Sequence, residues 1–254
     1  MNRSRTEDIA QAFSGALEYD RHARVQHDVA RGLARRIAGL PLPSASRILE
    51  IGCGTGFLAE ALLQAGLTGD WTITDLSPAM IERARMRLGQ SLRYAILDGE
   101  RGTPDGGPYD LICTNMATQW FADEPRALDR WRQWLAPGGH IMVATLGPGT
   151  FAEWRAAHRA EGLEPGTPTF TPVAALDALG PAEPVIVERY SQRYADARAF
   201  LSGLRAIGAD TARPDHRPLS PAMMRRVMRR FEAQGAVASY EVMTCHLTRA
   251  TGSA

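Results

Sequence analysis

Three glycines at alternate positions, Gly52, Gly54 and Gly56, follow the apolar run Ile48-Leu49-Glu50-Ile51 and lead into Phe57-Leu58-Ala59-Glu60-Ala61-Leu62-Leu63. That order predicts a buried strand, a tight turn and a helix N-terminus. Glycine has no Cβ to hold a ligand off the main chain and reaches positive φ cheaply, so such a loop folds closely around a small molecule. A second strand candidate, Trp71-Thr72-Ile73-Thr74-Asp75, ends in a carboxylate suited to accept hydrogen bonds from the two hydroxyls of a ribose. Dinucleotide folds use G-x-G-x-x-G with a pyrophosphate on the helix N-terminus. Here the spacing is G-x-G-x-G, and Glu50 just before it repels a pyrophosphate and attracts an ammonium group. The matching ligand carries a ribose, an adenine and a cationic amino-acid end. A third strand candidate, Leu92 to Leu97, ends in Asp98, which either accepts from the adenine amino group or turns the chain before Gly99.

Elements that alternate must position these residues. From about Ile9 to Gly39 the pattern is helical, with Val25, Val29, Leu33 and Ile37 on one face, and Pro41 and Pro43 end it. Residues 1 to 8 are expected to be disordered. Ser77-Pro78 caps a helix whose apolar face is Met80, Ala84 and Leu88. Tyr109 to Asn115 reads as a fourth strand running into Met116-Ala117-Thr118-Gln119-Trp120. Glu124 to Leu135 reads as an amphipathic helix stopped by Pro137-Gly138-Gly139, and His140 to Leu146 as a fifth strand. Strand and helix alternating in this way predict an α/β, doubly wound sheet with a parallel core. Helical pieces around Phe151 to Ala160 and Pro172 to Leu179 follow. Strand candidates at Val185 to Tyr194 and Tyr240 to Thr248 bracket a further helical insertion. The expected organisation is one domain over 1–254, with an N-terminal helical segment at 9–39 and helical cap insertions at 150–180 and 195–235.

Composition narrows the function. At 254 residues and 44% hydrophobic content the chain builds a sizeable core. No apolar run approaches the roughly 18 residues of a membrane span, and no signal-peptide core follows Met1, so a cytoplasmic protein with no membrane role is expected. A net charge of +1 argues against nucleic acid. All 29 basic residues are arginine, which excludes lysine Schiff-base chemistry and a lysine-bearing phosphate loop. Arginine also grips carboxylates in a planar fork. Cys53, Cys113 and Cys245 lie apart in apolar segments, as buried free thiols do, and the six histidines form no ligand pattern, so no metal is expected.

Glu50 to Gly56 together with Asp75 resemble the first two motifs of class I S-adenosylmethionine methyltransferases. Four further stretches resemble the malonyl-acyl-carrier-protein O-methyltransferases of biotin synthesis: Ala12 to Asp20 with His22, Ala23 and Gln26; Asn115 to Trp120; Thr145 to Phe151; and Leu204 to Ala209. The resemblance covers nearly the whole chain, although Gly162 to Gly166 and Val242 to Leu247 follow it loosely. It implies a Rossmann-like sheet, mostly parallel with an antiparallel last strand. It also implies S-adenosyl-L-methionine as cofactor and S-adenosyl-L-homocysteine as product. The cofactor contacts it implies are Glu50, Gly52, Gly54, Gly56 and Asp75, joined by Leu76, Asp98, Gly99 and Asn115. The reaction it implies esterifies the free carboxylate of a malonyl thioester on acyl carrier protein, on the way to pimelate.

The same resemblance places Tyr19 as a lid over the cofactor, Trp120 in the malonyl pocket, Arg205 on the substrate carboxylate or thioester, and Tyr240 within reach of the pocket. Read by themselves, Tyr19 and Tyr240 are equally packing residues and Arg205 a solvated position on a helix from Asp196 to Ile207. On the helix from Ser220 to Gln234, Met224, Val227, Met228 and Phe231 form one face and Arg225, Arg226, Arg229 and Arg230 cluster on the other. That cluster is either a docking face for acidic acyl carrier protein or a solvated face. Two other readings remain open: a methyltransferase for another small carboxylic acid or a quinone ring, and a cofactor-binding assembly factor that methylates nothing.

Overall fold

The structure is a computed structural model that describes residues 5–14, 18–213 and 216–250. The chain divides into two compact units. One, of Gln26–Thr145, Thr171–Val187 and Met243–Ala254, holds most of the sheet. The other comprises Met1–Val25, Leu146–Phe170 and Glu188–Val242.

The N-terminal helical pattern is three helices instead of one run: α1 (Arg5–Ser14), α2 (Tyr19–His22) and α3 (Arg24–Ile37). Residues 5–8, expected to be disordered, are therefore the first turns of α1. Residues 1–4, and Gly15 to Leu17 of the N-terminal stretch, lie outside the described residues. The alternation then proceeds as β1 (Ser46–Ile51), α4 (Phe57–Gln64), β2 (Gly69–Asp75), α5 (Pro78–Leu88), β3 (Arg93–Ile96) and β4 (Tyr109–Asn115). After a 3-10 turn at Thr118–Trp120 come α6 (Glu124–Arg132), β5 (Leu135–Leu146), α7 (Ala152–Ala160) and α8 (Val173–Asp177). The chain finishes with β6 (Ile186–Arg193), α9 (Ala197–Ala206), α10 (Pro221–Ala233) and β7 (Val237–Thr248).

The sheet order is β3-β2-β1-β4-β5-β7-β6. β1 pairs in parallel with β2 and β4, β2 with β3, and β4 with β5. β7 runs the other way: Gly138 N–H donates to Arg249 and Arg249 N–H returns a bond to Gly139, an antiparallel exchange. The mostly parallel sheet with an antiparallel last strand is thus present as expected. Its order reverses between β1 and β4, and in open α/β sheets ligands bind beyond the strand C-termini at such a switch point.

The sheet unit's core has one face made by β1, β4, β5 and β7. Leu49, Ile51, Ile112, Ile141, Val143 and Met243 there close over Leu128 and Trp131 of α6 and Leu176 of α8. Trp131 is fully buried and spends its indole N–H on the Gly99 carbonyl at 2.8 Å, satisfying a polar atom that burial would otherwise penalise. Segment 150–180 is split between the two units: α7 belongs to one, and α8 to the other. The second unit has its own aromatic core, in which Trp154, Phe200 and Phe231 meet pairwise at 5.1–5.4 Å.

Candidate functional site

The loop after β1 is built by its glycines. Gly52, Gly54 and Gly56 all have positive φ, at +68, +54 and +92°. A Cβ on Gly52 would stand 2.4 Å from the Ala117 Cβ, so nothing larger fits between this loop and the one after β4. Asp75 at the end of β2 fastens the loop from the other side. Its Oδ2 accepts from Gly54 N–H and its Oδ1 from Ser77 N–H, each at 2.8 Å. Ser77 caps α5 through Met80 N–H, as the Ser-Pro pair predicts.

Glu50 is buried, and its Oε2 has no hydrogen-bond partner. Burial first, then the nearby Asp75 charge, pushes its carboxyl up to about 8. Burial also raises Asp75, against the backbone N–H groups of Ser77, Gly54 and Leu76. Asn115, at the end of β4, donates through Nδ2 to the Gln26 carbonyl at 3.0 Å, which leaves its buried Oδ1 without a partner. The ends of β1, β2 and β4 therefore offer polar atoms with open valences: the Glu50 carboxyl, the Asn115 amide oxygen and the second lone pairs of Asp75. A ligand with an ammonium group and hydroxyls supplies the missing donors, so the residues fit the cofactor that the motif implies.

Asp98 follows the turn-forming alternative with one oxygen, Oδ1, which accepts from Glu100 and Arg101 N–H. Its Oδ2 has no partner among the described residues. Gly99 is fixed by packing, since a Cβ there would meet Ile51 Cγ2 at 2.4 Å. Leu76 is half-buried between Asp75 and the α5 cap. The thiols of Cys53, Cys113 and Cys245 are buried and unpaired, and burial raises all three. Among the described residues no group of three or more His, Cys, Asp or Glu is placed to hold a metal ion.

The expected substrate residues divide between the units. Trp120 closes the 3-10 turn of the sheet unit, four residues after Met116, which takes φ +54° and donates its N–H to the Ala144 carbonyl at 2.7 Å. Tyr19, Arg205 and Tyr240 belong to the other unit. Tyr19 is half-buried at the start of α2. Arg205 occupies a solvated helix position: its side chain is 82% exposed and pairs with Asp210 at 3.2 Å. Tyr240 is 3% exposed, packs edge-on against Phe151, and shares its hydroxyl with that of Tyr194 at 2.9 Å. It is the fourth residue of β7, because that strand starts earlier than the sequence pattern marks. Tyr194 was not singled out by the sequence, where a tyrosine beyond a strand end carries no signal until β6 and β7 pair.

The arginine helix is also sorted by a distant residue. Glu161, after α7, takes Arg226 Nε and Arg230 Nε at 2.8 Å each. Arg225, Arg226 and Arg229 line a groove with Arg198, Ala222, Met228 and Glu232. No helix among the described residues is long and apolar enough to cross a membrane.

The methyltransferase-domain family matches residues 19–176. Among solved structures, the YcgJ protein of Bacillus subtilis aligns with a TM-score of 0.60 at 14% identity, covering 88% of this chain and 99% of that one. A putative methyltransferase of Bacillus halodurans aligns at 0.61 and 12% identity, covering 87% and 99%. At these identities they speak for the fold. Among curated relatives, the bifunctional biotin biosynthesis protein BioCD of Bordetella avium is 44% identical over 92% of this chain. The chain spans 50% of that relative's length. The malonyl-[acyl-carrier protein] O-methyltransferase of Magnetococcus marinus is 36% identical, over 95% of this chain and 92% of the relative. With the glycine loop, the acidic ends of β1 and β2 and the strand order all in place, the chain belongs to the malonyl-[acyl-carrier protein] O-methyltransferase family of methyltransferase-domain proteins.

Proposed function

We propose that this protein uses S-adenosyl-L-methionine to methylate the free carboxylate of a malonyl thioester on acyl carrier protein, an early step of biotin synthesis in the cytoplasm. The observation that carries the cofactor assignment is the set of unsatisfied oxygens at Glu50, Asp75 and Asn115, of which the Glu50 carboxyl gives up its proton on pairing with an ammonium group. The names of the relatives carry the substrate. Within that reading the loop Gly52 to Gly56 lies along the cofactor, Asp75 takes the ribose hydroxyls, and Glu50 the ammonium. Leu76, Asp98 and Gly99 border the adenine. When bound, the cofactor would supply a methyl group activated by a sulfonium: an O–CH3 bond would form to the carboxylate as the CH3–S bond breaks and the neutral thioether leaves, with no proton to move.

The chain's own task is therefore position and exclusion of water, not general base catalysis. Trp120 and Tyr19 supply apolar walls. Arg205 reaches a carboxylate only by leaving Asp210, so it serves the thioester arm or solvent in preference to the reacting group.

Docking of the acidic carrier falls to Arg225 and Arg229 with Arg198, because Glu161 already pairs with Arg226 and Arg230, and these three arginines outnumber the one carboxylate of the groove, Glu232. The first experiment is mass spectrometry of malonyl-acyl carrier protein after incubation with the protein and cofactor, beside malonyl-coenzyme A and free aconitate. A methyl-sized gain on the carrier-bound malonyl group is expected. No gain on any of the three, with cofactor binding intact, overturns the reading in favour of a ring substrate or an assembly factor. Charge reversal of Arg225 and Arg229 is expected to raise KM for the carrier-bound substrate alone. An unchanged KM refutes the docking assignment.

A further inference from the structure

Two arginines of α10 and one of α9 share a groove within the second unit. Arg225 and Arg229 stand one turn apart on α10, so their side chains leave one face about 6 Å from each other. Arg198, in the first turn of α9, lines the same groove. All three are exposed, and none of their side chains has an ion-pair or hydrogen-bond partner among the described residues. Arg226 lines the groove as well, but it pairs with Glu161, as does Arg230 outside it. The groove's carboxylate, Glu232, spends its Oε1 on the Ala197 N–H at 3.1 Å and so caps α9. With its charge counted, the three unpaired guanidiniums against one carboxylate leave two positive charges in excess.

Unpaired like charges held side by side repel, and an anion between them relieves the repulsion. Its class follows from the donors. Each guanidinium is a planar fork that suits two oxygens, so one arginine is enough for one carboxylate. Three forks from two helices suit an anion with more oxygens and more charge. A phosphomonoester has three free oxygens and carries about −1.5 to −2 at pH 7, whereas a phosphodiester keeps two free oxygens and a single charge. The groove measures about 480 Å3, in the range of small-molecule sites and more than one phosphate group fills. Ala222 and Met228 also line it, an apolar surface for the organic part of an ester.

We propose that this groove is a binding site for small phosphomonoesters, with the phosphate on Arg198, Arg225 and Arg229 and the organic part against Ala222 and Met228. Its consequence rests on the carrier-docking reading above, which uses the same arginines: an occupied groove competes with the carrier and slows methyl transfer.

Titration calorimetry on the full chain, without cofactor or carrier, compares butyl phosphate with dibutyl phosphate, pentanoate and inorganic phosphate at equal ionic strength. Butyl phosphate is expected to bind about 10-fold or more tightly than dibutyl phosphate and pentanoate. Inorganic phosphate, which lacks the organic part, should bind about 3- to 10-fold more weakly than butyl phosphate. Lowering the pH from about 7.5 to about 5 removes the ester's second charge and should weaken it about 10-fold. Arg198→Ala, Arg225→Ala and Arg229→Ala should each lose about 10-fold or more. Arg230→Ala removes the same charge from outside the groove and should leave the affinity unchanged. Equal binding of the four anions, or equal losses in Arg225→Ala and Arg230→Ala, overturns the site in favour of diffuse attraction. In turnover, butyl phosphate should raise KM for malonyl-acyl carrier protein and leave kcat unchanged; a KM that does not move overturns the competition. If the wild type transfers no methyl group, the carrier reading and the competition fall together, and the calorimetry decides the phosphomonoester site by itself.

Discussion

Replacing Glu50 with Gln separates what its carboxyl costs the free protein from what it gives the complex. The carboxyl is buried, its Oε2 has no partner, and burial and Asp75 lift it from its ordinary 4.5 to about 8. A carboxyl raised in the folded state favours the protonated form. Its stabilising contribution is therefore complete below about pH 4.5 and is lost as the pH climbs towards 8. At about 1.36 kcal/mol per pH unit, the full interval corresponds to about 5 kcal/mol. The Glu50→Gln protein has nothing to ionise there, so its unfolding free energy is expected to stay level between pH 5 and 8 while the wild type declines by several kcal/mol. Cofactor binding runs the other way. At pH 6 to 7 the free site is protonated, and pairing with an ammonium group requires it to give up that proton. Binding to the wild type should release up to one proton and tighten up to tenfold per pH unit below 8. Glu50→Gln should release none and bind about 10- to 100-fold more weakly at pH 8. Urea unfolding at stepped pH and titration calorimetry in buffers of different ionisation enthalpy measure both. Parallel stability profiles for the two proteins, with no difference in proton release, would refute the reasoning.

Other substitutions probe the frame around that carboxyl. Gly52→Ala sets a Cβ 2.4 Å from the Ala117 Cβ at a φ of +68° and should cost about 1–3 kcal/mol in stability, with more than tenfold loss of cofactor affinity by calorimetry. Trp131→Phe gives up the indole bond to Gly99 and part of a fully buried ring; thermal unfolding should report a loss of about 2–3 kcal/mol, with the Asp98 turn loosened. His140 and His246 face each other at 3.0 Å, and burial lowers both. A depressed histidine stabilises the fold above its ordinary 6.5 and loses that contribution as the pH falls below it. His246→Gln should therefore flatten the acid side of the stability profile; an unchanged slope between pH 6.5 and 5 would count against this.

What the sequence made legible, and what it hid, follows from the range of the interactions. Ser77-Pro78 announces α5 and Ser220-Pro221 announces α10 because a cap is settled within three residues. The glycine loop was legible for the same reason, and Asp75 because a parallel strand ends where its acid meets the loop. Pro137-Gly138-Gly139 misled: it reads as a turn, yet lies within β5. A register shift between Tyr109 and Leu111 makes a bulge in which Gly138 takes φ +77°, and a Cβ on Gly139 would stand 2.8 Å from the Tyr109 carbonyl. The ladder survives because Arg249, over a hundred residues on, supplies the partner bonds. Glu161 is a similar case, an ordinary acid after a helix until α7 and α10 lie together and it selects two arginines of four. The second unit is the least legible for the same physical reason. Tyr194 meets Tyr240 only when β6 pairs with β7, and Gly203 reads as a helix weakness until a tyrosine ring occupies the space that its missing Cβ leaves. A glycine loop is local chemistry, while a pair of side chains from two strands is written across the chain.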